Sequence, residues 1–491
     1  MAGSVIWRRR IAGLRSRQIG KSARDIDLPL PVNGLNVKAS TSELAGVYAA
    51  RMENLRSDGV QLELRAPYAR GISDDSALNR IPYEFGDRPR YVNLRPLLID
   101  SDNASIEIPG DVDAMAAYIS SNVLIADRTG NNIVRYDGTT ITPAVFTLPD
   151  ASTLSGHDGI ISHQDRIYLW KTNGLLQFWY GDVGAVQGAV LNFPLDRLGN
   201  ITGAIARLMS LTIDAGNSYN DALCIITTTG DIVVYEGNDP GDAQNWQLSI
   251  RLRATPPLSR HGFARVGSDV WMLTASGLVS IAETLSTGIL ALVSNISLPI
   301  SDRITQLAAS GVGEWQMHTA ADGSKIIVNY WLNGAAEQFM FDVQSKSWST
   351  ATIPARRWHN LGRLTQFTDG GGVIGTLLLA DDTSEPKTAI LHTGWFRMPQ
   401  AGVITYVKPA FLAKGPVTVK VAVLVDHDES AAAIAERTIT MTLSPDNPPD
   451  AGGTAMLSET IGVGAAGDVF QFRIEVTATW LKIVNMRLGV L

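Results

Sequence analysis

The chain has 491 residues, of which 45% are hydrophobic and 18% are charged, so it can bury a substantial core and is not a disordered polypeptide. Its single cysteine, Cys224, excludes an intramolecular disulfide framework and any metal site built from several cysteines. No apolar run approaches the ~18–20 residues needed to cross a bilayer, so no membrane insertion is expected.

The net charge of −7 conceals a basic N-terminal arm, residues 1–27, on an acidic body. Before residue 25 the arm has no acidic residue, and its basic residues are Arg8, Arg9, Arg10, Arg15, Arg17, Lys21 and Arg24. Removing these seven from the 41 basic residues leaves 34 against 48 acidic residues, so the chain after residue 24 carries about −14. The arm is therefore predicted to contact a neighbouring subunit or ring. A contact with DNA is the alternative, but no broad basic face for nucleic acid is expected on the body.

Residues 28–69 are predicted to form an N-terminal segment with one short helix. Ser40 and Glu43 have the spacing of a capping box. The hydrophobic residues that follow recur at helical spacing: Leu44, Val47, Tyr48, Met52 and Leu55.

From residue 70 to 394 the chain repeats one pattern, a hydrophobic strand, a polar turn that usually contains glycine, and a second strand. The first apolar residues of six such hairpins are Val123, Ile167, Leu223, Val270, Ile326 and Val373. Their mean interval of about 50 residues is that of a four-stranded propeller blade. The sequence therefore predicts an all-β protein with a β-propeller of about six blades, or seven if residues 70–110 supply one.

Large aromatic residues accompany these hairpins and are predicted to fill the core between blades rather than to stack on a ligand. They are Trp170, Phe178, Trp179, Trp271, Trp331, Phe339 and Phe341.

Residues 395–491 show a different pattern and are predicted to form a C-terminal antiparallel β-sandwich or barrel domain. Valines at every second position from Val417 to Val425 alternate with other residues, and residues 470–477 alternate in the same way. Strict period-two alternation is typical of half-buried strands.

Motifs for catalysis or for cofactor binding are absent from their expected contexts. A GxGxxG match at residues 462–467 precedes a predicted strand rather than a helix, so it is interpreted as a loop and not as a dinucleotide site. Adjacent acids at 74–75, 381–382 and 426–429 are assigned to solvated turns. The histidines are His157, His163, His261, His318, His359, His392 and His427, and only His157 and His163 come loosely near metal-ligand spacing, across a turn. The sequence therefore predicts no catalytic, cofactor-binding or metal-binding residue, and a protein that is not an enzyme.

Several short segments resemble the tail nozzle proteins of short-tailed bacteriophages, also called tail tubular or packaged-DNA stabilisation proteins. The segments are LPVNGLN at residues 30–36, ARMENL at 50–55, LELR at 62–65, the hairpin at 271–281, residues 341–348, and the closing strands at 470–476 and 480–483. The resemblance spans nearly the whole chain through short motifs. The Arg-rich start before Ile26 departs from the family pattern, which leaves its role open.

The resemblance implies a structural virion protein located in the tail. Six copies would form a homohexameric ring below the portal and its adaptor ring, next to tail fibres or a needle. The ring would retain packaged double-stranded DNA and conduct it during ejection, without a cofactor. A carbohydrate-binding or glycan-cleaving propeller is the alternative function, and a propeller scaffold for protein partners is a third.

Overall fold

A computed structural model describes residues 24–41, 44–65, 68–73, 80–85, 88–94, 97–100, 105–107, 114–127, 132–137, 140–155, 157–171, 176–214, 219–287, 294–312, 314–361, 363–369, 373–377, 386–428, 435–442 and 453–491. The chain divides into two units. Unit 1 comprises Met1–Pro67, Phe339–Thr352 and Leu379–Leu491, and unit 2 comprises Tyr68–Gln338 and Ile353–Leu378.

The first four strands belong to unit 1: β1 (Arg24–Leu28), β2 (Ala49–Glu53), β3 (Leu55–Ser57) and β4 (Leu62–Leu64). The chain then enters unit 2 with β5 (Tyr68–Ser73), β6 (Arg80–Phe85), β7 (Arg88–Leu94), β8 (Leu97–Asp100), β9 (Ser105–Glu107), β10 (Ala114–Ile119), β11 (Asn122–Asp127), β12 (Asn132–Tyr136), β13 (Ile141–Pro143), β14 (Phe146–Thr147), β15 (Gly159–His163), β16 (Arg166–Trp170), β17 (Gln177–Gly181) and β18 (Gly188–Pro194). A 3-10 turn at Asp196–Leu198 leads to β19 (Ile205–Asp214), β20 (Tyr219–Thr227), β21 (Asp231–Gly237) and β22 (Trp246–Arg253).

Unit 2 continues with β23 (Phe263–Val266), β24 (Asp269–Thr274), β25 (Gly277–Ser280), helix α1 (Ile281–Thr287), helix α2 (Ser294–Ala309), β26 (Glu314–Thr319) and β27 (Lys325–Leu332). Strand β28 (Ala335–Asp342) passes from unit 2 into unit 1, where β29 (Ser347–Ala351) follows. The chain returns to unit 2 for β30 (Arg357–Leu361), β31 (Leu364–Thr368) and β32 (Val373–Leu377). Unit 1 closes with β33 (Lys387–Thr393), β34 (Phe396–Ala413), β35 (Val417–Val425), β36 (Ala435–Met441), β37 (Ala455–Ser458), β38 (Ile461–Ala478) and β39 (Leu481–Val490).

The predicted all-β propeller is confirmed in unit 2. Among the described strands, five separate sheets contain four or five strands: β6–β9, β10–β13, β14–β18, β19–β22, and β5 with β30–β32. The leading strands of successive groups contact one another, as β15 contacts β10 and β19, and β26 contacts β23 and β30. We call β10, β15, β19, β23, β26 and β30 the inner strands, because these contacts place them beside one another rather than at the outer edge of a blade.

The predicted count of about six blades is wrong, because five sheets form the complete blades. The hairpin at 269–282 belongs to a three-stranded sheet, β23–β25, and helix α1 follows where a fourth strand was expected. The segment predicted as a hairpin at 372–392 is divided, because β32 pairs with β31 and β5, whereas β33 pairs with β2 and β38. A hydrophobic hairpin in the sequence does not reveal which strands complete its sheet.

The core of unit 2 is rich in stacked aromatic rings. Tyr235 and Trp246 stack within one blade with their ring centroids 5.2 Å apart, and Trp246 stacks on Tyr168 of the preceding blade at 6.4 Å. Of the seven aromatic residues predicted to be core, all except Trp331 are buried, and Trp331 is half-buried.

The strands of unit 1 come from both ends of the chain. Its principal sheet has the order β29-β2-β33-β38-β34-β39-β4-β3, and β1 pairs with β39. Strand β35 pairs with β36 and β38, and β37 pairs with β34. The predicted strand at 417–425 is confirmed as β35, and its five alternating valines are buried. The segments predicted separately as 28–69 and 395–491 thus lie in one unit.

The helix predicted between Leu44 and Leu55 is not present. Strands β2 and β3 occupy residues 49–57, and β2 pairs with β33 from residue 390 to residue 393. Sheet pairing with a distant strand overrides the local helical spacing. Helices α1 and α2, in contrast, were not expected from the sequence.

The glycine-rich run at 462–467 was predicted to be a loop, but it lies inside β38. Between the pairs Tyr406–Gly462 and Ile404–Ala465, β38 contains one residue more than β34, which is a β-bulge. Gly464 has φ +67°, the left-handed conformation that a bulge of this kind requires and that glycine adopts without strain.

Candidate functional site

The segment at residues 30–36 is fixed in unit 1 by a bridge between Gly34 and Trp348. The backbone N–H of Leu35 donates to the carbonyl oxygen of Trp348 at 2.7 Å, and the N–H of Ala49 donates to the carbonyl oxygen of Gly34 at 2.8 Å. Trp348 is 1% exposed. The segments 30–36 and 341–348 are therefore in direct contact.

The segment at residues 50–55 turns at Asn54, which is buried and has φ +56°. Its Nδ2 donates to the carbonyl oxygen of Thr388 at 2.9 Å, and its Oδ1 accepts from Nε of Arg65 at 2.7 Å. Its backbone N–H donates to the carbonyl oxygen of Thr350 at 2.8 Å. Asn54 thus connects β33 and the end of the 62–65 segment through its side chain, and β29 through its backbone N–H.

The segment at residues 62–65 contacts the closing strand β39. The carboxylate of Glu63, which is 5% exposed, lies 2.7 Å from Nη2 of Arg56 and 3.8 Å from Nζ of Lys482. Leu62 and Ile483 are opposite each other in the sheet and both are fully buried. The segments at opposite ends of the sequence therefore share one hydrogen-bonded and ion-paired core.

The predicted basic arm lies largely outside the described residues, because Arg8, Arg9, Arg10, Arg15, Arg17 and Lys21 precede residue 24. Arg24 begins β1, and β1 pairs with β39 alone among the described strands. The first four residues of β1 are exposed, and Ile26 is 40% exposed. Asp25 accepts a hydrogen bond from the Tyr406 hydroxyl, and Asp27 lies 3.2 Å from Nε of Arg487. The chain therefore enters unit 1 through an exposed edge strand.

The adjacent acids and the cysteine noted in the sequence do not lie together in one site among the described residues. The acids at 74–75 and 381–382 lie outside the described residues. Asp426 lies in the predicted turn, where its Oδ1 accepts from the backbone N–H groups of Asp468 and Val469 at 3.1 and 3.4 Å. Within the described part of the chain, no group of three or more His, Cys, Asp or Glu residues has the arrangement of a metal site. Burial raises the pKa of the Cys224 thiol to about 12.

A shallow polar depression of about 290 Å³ lies on the β21–β22 hairpin of unit 2. Its lining consists mainly of amide and other polar side chains, with Glu236, Gly237, Gln244, Asn245, Gln247, Leu248 and Ser249. Trp246, in the same strand, is 5% exposed and stacks inward on Tyr235.

Sequence reasoning missed a pair of arginines in unit 2, Arg207 and Arg260, which we call the inner basic pair. Arg207 lies in the inner strand β19, and Arg260 precedes the inner strand β23. Their charges interact, since Arg260 lowers the pKa of Arg207 in addition to the larger effect of burial. The signal available in the sequence was a single charge at position 207 within an apolar strand.

His163, at the end of the inner strand β15, is a buried titratable group that contacts the inner strand β19. Its Nδ1 lies 2.9 Å from Oγ of Ser210, and the residue is 2% exposed. Burial lowers the pKa of His163 to about 4, although the Asp221 carboxylate acts in the opposite direction. The folded protein therefore keeps this imidazole neutral well below pH 6.5.

This burial predicts that the stability of the protein depends on pH. Below pH ~6.5 the unfolded chain protonates His163 while the folded chain does not, so the contribution present above pH ~6.5 is lost as the pH falls toward ~4. His163→Asn should reduce the pH dependence of the free energy of unfolding by up to about 1.4 kcal/mol per pH unit in this window. Urea unfolding at several pH values measures both slopes, and equal slopes for the two proteins would contradict the prediction.

Comparison with known proteins shows distant propellers. No family model matches the chain, and no curated protein matches it. A catalytically inactive virginiamycin B lyase from Staphylococcus aureus, solved with quinupristin, is 13% identical over 64% of this chain and 99% of its own, with a TM-score of 0.38. The β-propeller domain of Cps50 (Swd1) from Myceliophteria thermophila is 10% identical over 63% of this chain and 99% of its own, with a TM-score of 0.40.

The structure of the Dos1 propeller is a third similar structure, 11% identical over 58% of this chain and 69% of its own, with a TM-score of 0.33. These similarities are too weak to carry a functional argument. The assignment of the fold therefore depends on the sheets of this chain. No helix in the described ranges has the length and apolar character needed to span a membrane.

Proposed function

We propose that this protein is a tail nozzle subunit of a short-tailed bacteriophage, six copies of which form a ring below the portal and adaptor. The ring retains packaged DNA and conducts it during ejection. The observation that carries the proposal is the packing of unit 1. Gly34 contacts Trp348, and Glu63 approaches Lys482, so segments that resemble the nozzle family pack together although they are far apart in sequence. Dispersed chance matches would not be expected to converge in this way.

In this proposal the strands from residue 395 onward, predicted as a sandwich or barrel domain, belong to the part of the subunit that builds the ring. These strands carry the closing segments of the resemblance and pair with β1, β4 and β33, and β33 in turn pairs with β2. No enzymatic activity and no cofactor form part of the proposal.

The charge of the body supports a conduit rather than a DNA-binding protein. The residues after position 24 have a net charge of about −14, and DNA phosphates adhere to surfaces where Lys and Arg displace counterions. A channel lined by such a body lets duplex DNA pass without trapping it.

The basic arm supplies a contact to the adaptor ring or to a neighbouring subunit. Residues 1–23 contain six basic residues and precede an exposed edge strand, so their removal leaves the described core of unit 1 intact. Deleting residues 1–23 should weaken docking onto tail particles that lack the protein by about tenfold or more, since six exposed ion pairs contribute ~0–1 kcal/mol each. Sedimentation of particles with bound protein measures the docking.

Two comparisons make the deletion experiment specific. The full-length protein should dock less well at about 300 mM than at about 50 mM NaCl, because salt screens exposed pairs, whereas the truncated protein should show little salt dependence. Thermal unfolding should be nearly the same for both proteins. Equal docking of the truncated and full-length proteins would contradict the assigned role of the arm.

A further inference from the structure

Three consecutive residues of β22, Gln247, Leu248 and Ser249, line the depression on the β21–β22 hairpin, which we call the hairpin depression. In a regular strand successive side chains point to opposite faces, so three in a row do not normally share one surface. Here the pairing with β21 shifts register between Val234 and Tyr235, where Ser249 is an extra residue in β22. This is a β-bulge, a feature that redirects side chains and is enriched next to functional sites.

The bulge places the Ser249 hydroxyl on the carboxylate of Glu236. Ser249 Oγ donates to Glu236 Oε1 at 2.6 Å, and this hydrogen bond fixes the orientation of the carboxylate. An ionised carboxylate has two oxygens and about four lone-pair sites, so the Glu236 carboxylate can accept further hydrogen bonds from a ligand. Because Glu236 is half-buried, such a hydrogen bond is shielded in part from competing water.

The loop between the two strands is held by its own hydrogen bonds. Asp242 Oδ1 accepts from the backbone N–H of Gln244 at 2.9 Å, and Asp242 Oδ2 accepts from Nδ2 of Asn245 at 2.6 Å. Arg166, at the start of β16, lies with Nη2 3.0 Å from the Asp239 carboxylate and anchors the same loop. The amides of Gln244 and Asn245 are therefore presented from an ordered backbone, which lowers the entropic cost of binding a ligand.

The chemistry of the lining selects the class of ligand. Among the described residues that line the depression, Glu236 carries the only charge, so a phosphate or a carboxylate would be repelled. Leu248, 43% exposed, is the only large hydrophobic side chain among the same residues, so an aromatic or aliphatic ligand would find little apolar surface. The other side chains are amides and a hydroxyl, which donate and accept hydrogen bonds. A neutral molecule with several hydroxyl groups matches this set.

We propose that the hairpin depression binds a short neutral saccharide. The amides of Gln244, Asn245 and Gln247 donate to and accept from sugar hydroxyl groups. The Glu236 carboxylate accepts from one further hydroxyl, and Leu248 packs on the C–H groups of the sugar ring. The volume of about 290 Å³ is near the lower end of the ~300–1,000 Å³ of small-molecule sites. The site lies on one hairpin of unit 2 and does not depend on the proposed role in the tail.

Saturation-transfer difference NMR of the purified full-length protein tests the proposal. The probes are the methyl glycosides of glucose, galactose, mannose and N-acetylglucosamine, together with glucose 6-phosphate and the neutral peptide acetyl-trialanine amide. We expect saturation transfer to at least one methyl glycoside and weaker transfer to glucose 6-phosphate, because Glu236 repels its phosphate. No transfer to any methyl glycoside, transfer to the peptide alone, or transfer to glucose 6-phosphate as strong as to the best glycoside overturns the proposal.

Substitutions locate the site. Glu236→Ala should weaken binding of the glycoside by about tenfold, and Gln247→Ala by about threefold, because a hydrogen bond to a charged group is the stronger of the two. Gln187→Ala removes an exposed amide from the loop between β17 and β18 and should leave binding within about twofold. Unchanged binding in both Glu236→Ala and Gln247→Ala, or an equal loss in Gln187→Ala, would overturn the assignment. The probe measurement on the unaltered protein does not depend on the folding of these variants.

Discussion

Replacing Gly34 by alanine is expected to destabilise unit 1 by more than about 3 kcal/mol. Gly34 has φ +81°, a conformation that costs an alanine roughly 1–2 kcal/mol. In addition, a Cβ at this position would lie 2.5 Å from the carbonyl oxygen of Trp348 and 2.9 Å from its backbone nitrogen. These are backbone atoms of a buried residue, so the chain must separate at the bridge that joins residues 30–36 to β29.

Gly59 provides a matched control for this substitution. It has φ +91°, but a Cβ there would meet no atom within 4 Å. Gly59→Ala should therefore cost only the conformational part, about 1–2 kcal/mol. Urea unfolding measures the difference between the two variants, and limited proteolysis shows whether unit 1 opens. Equal destabilisation by the two substitutions would contradict a tight contact between Gly34 and Trp348.

The second large effect is expected in unit 2 at Gln338, which is fully buried. Its Nε2 donates to Oδ1 of Asn329 at 2.8 Å and to the carbonyl oxygen of Ile353 at 2.9 Å. Its Oε1 accepts from the backbone N–H of Ile353 at 2.8 Å. Gln338→Leu removes the partners of these buried groups and should lower the free energy of unfolding by about 3 kcal/mol or more, because each unsatisfied group costs ~1–3 kcal/mol.

Gln366→Leu is the control for Gln338. Gln366 is half-buried, and its Nε2 donates to Oγ1 of Thr376 at 3.1 Å. Because water can replace that hydrogen bond, its loss should cost about 1 kcal/mol or less. Denaturant unfolding of both variants measures the difference. A cost for Gln338→Leu no greater than that for Gln366→Leu would show that the Gln338 hydrogen bonds are not important for stability.

The sequence predicted the strands in which the order of hydrophobic and polar residues follows directly from burial. The valines of β35 alternate because their side of the strand is buried along its whole length, and the hairpins of the propeller recur because each blade repeats the same strands and turns. The helix predicted near Met52 is absent because a long-range pairing, rather than the local pattern, decides the structure there. Met52 is buried against β33, which begins more than 300 residues later, and no local spacing encodes that pairing.

The candidate sites, too, are evident from the sequence only where their residues are neighbours along the chain. The basic arm is evident from composition, since its arginines are neighbours in the sequence. The inner basic pair is not evident, because Arg207 and Arg260 belong to different strand groups and no local spacing in the sequence relates them. Asn54 was quoted within a motif, but its hydrogen bonds to Arg65 and Thr388 depend on the assembled sheet.

Electron cryo-microscopy of purified tails that contain this protein tests the central proposal most directly. We expect a ring of six copies below the adaptor, around a channel that admits duplex DNA and whose narrowest part is lined by polar or acidic loops. Such a lining holds phosphate weakly. A single copy in the mature particle, or a lumen dominated by Lys and Arg, would contradict the proposed function.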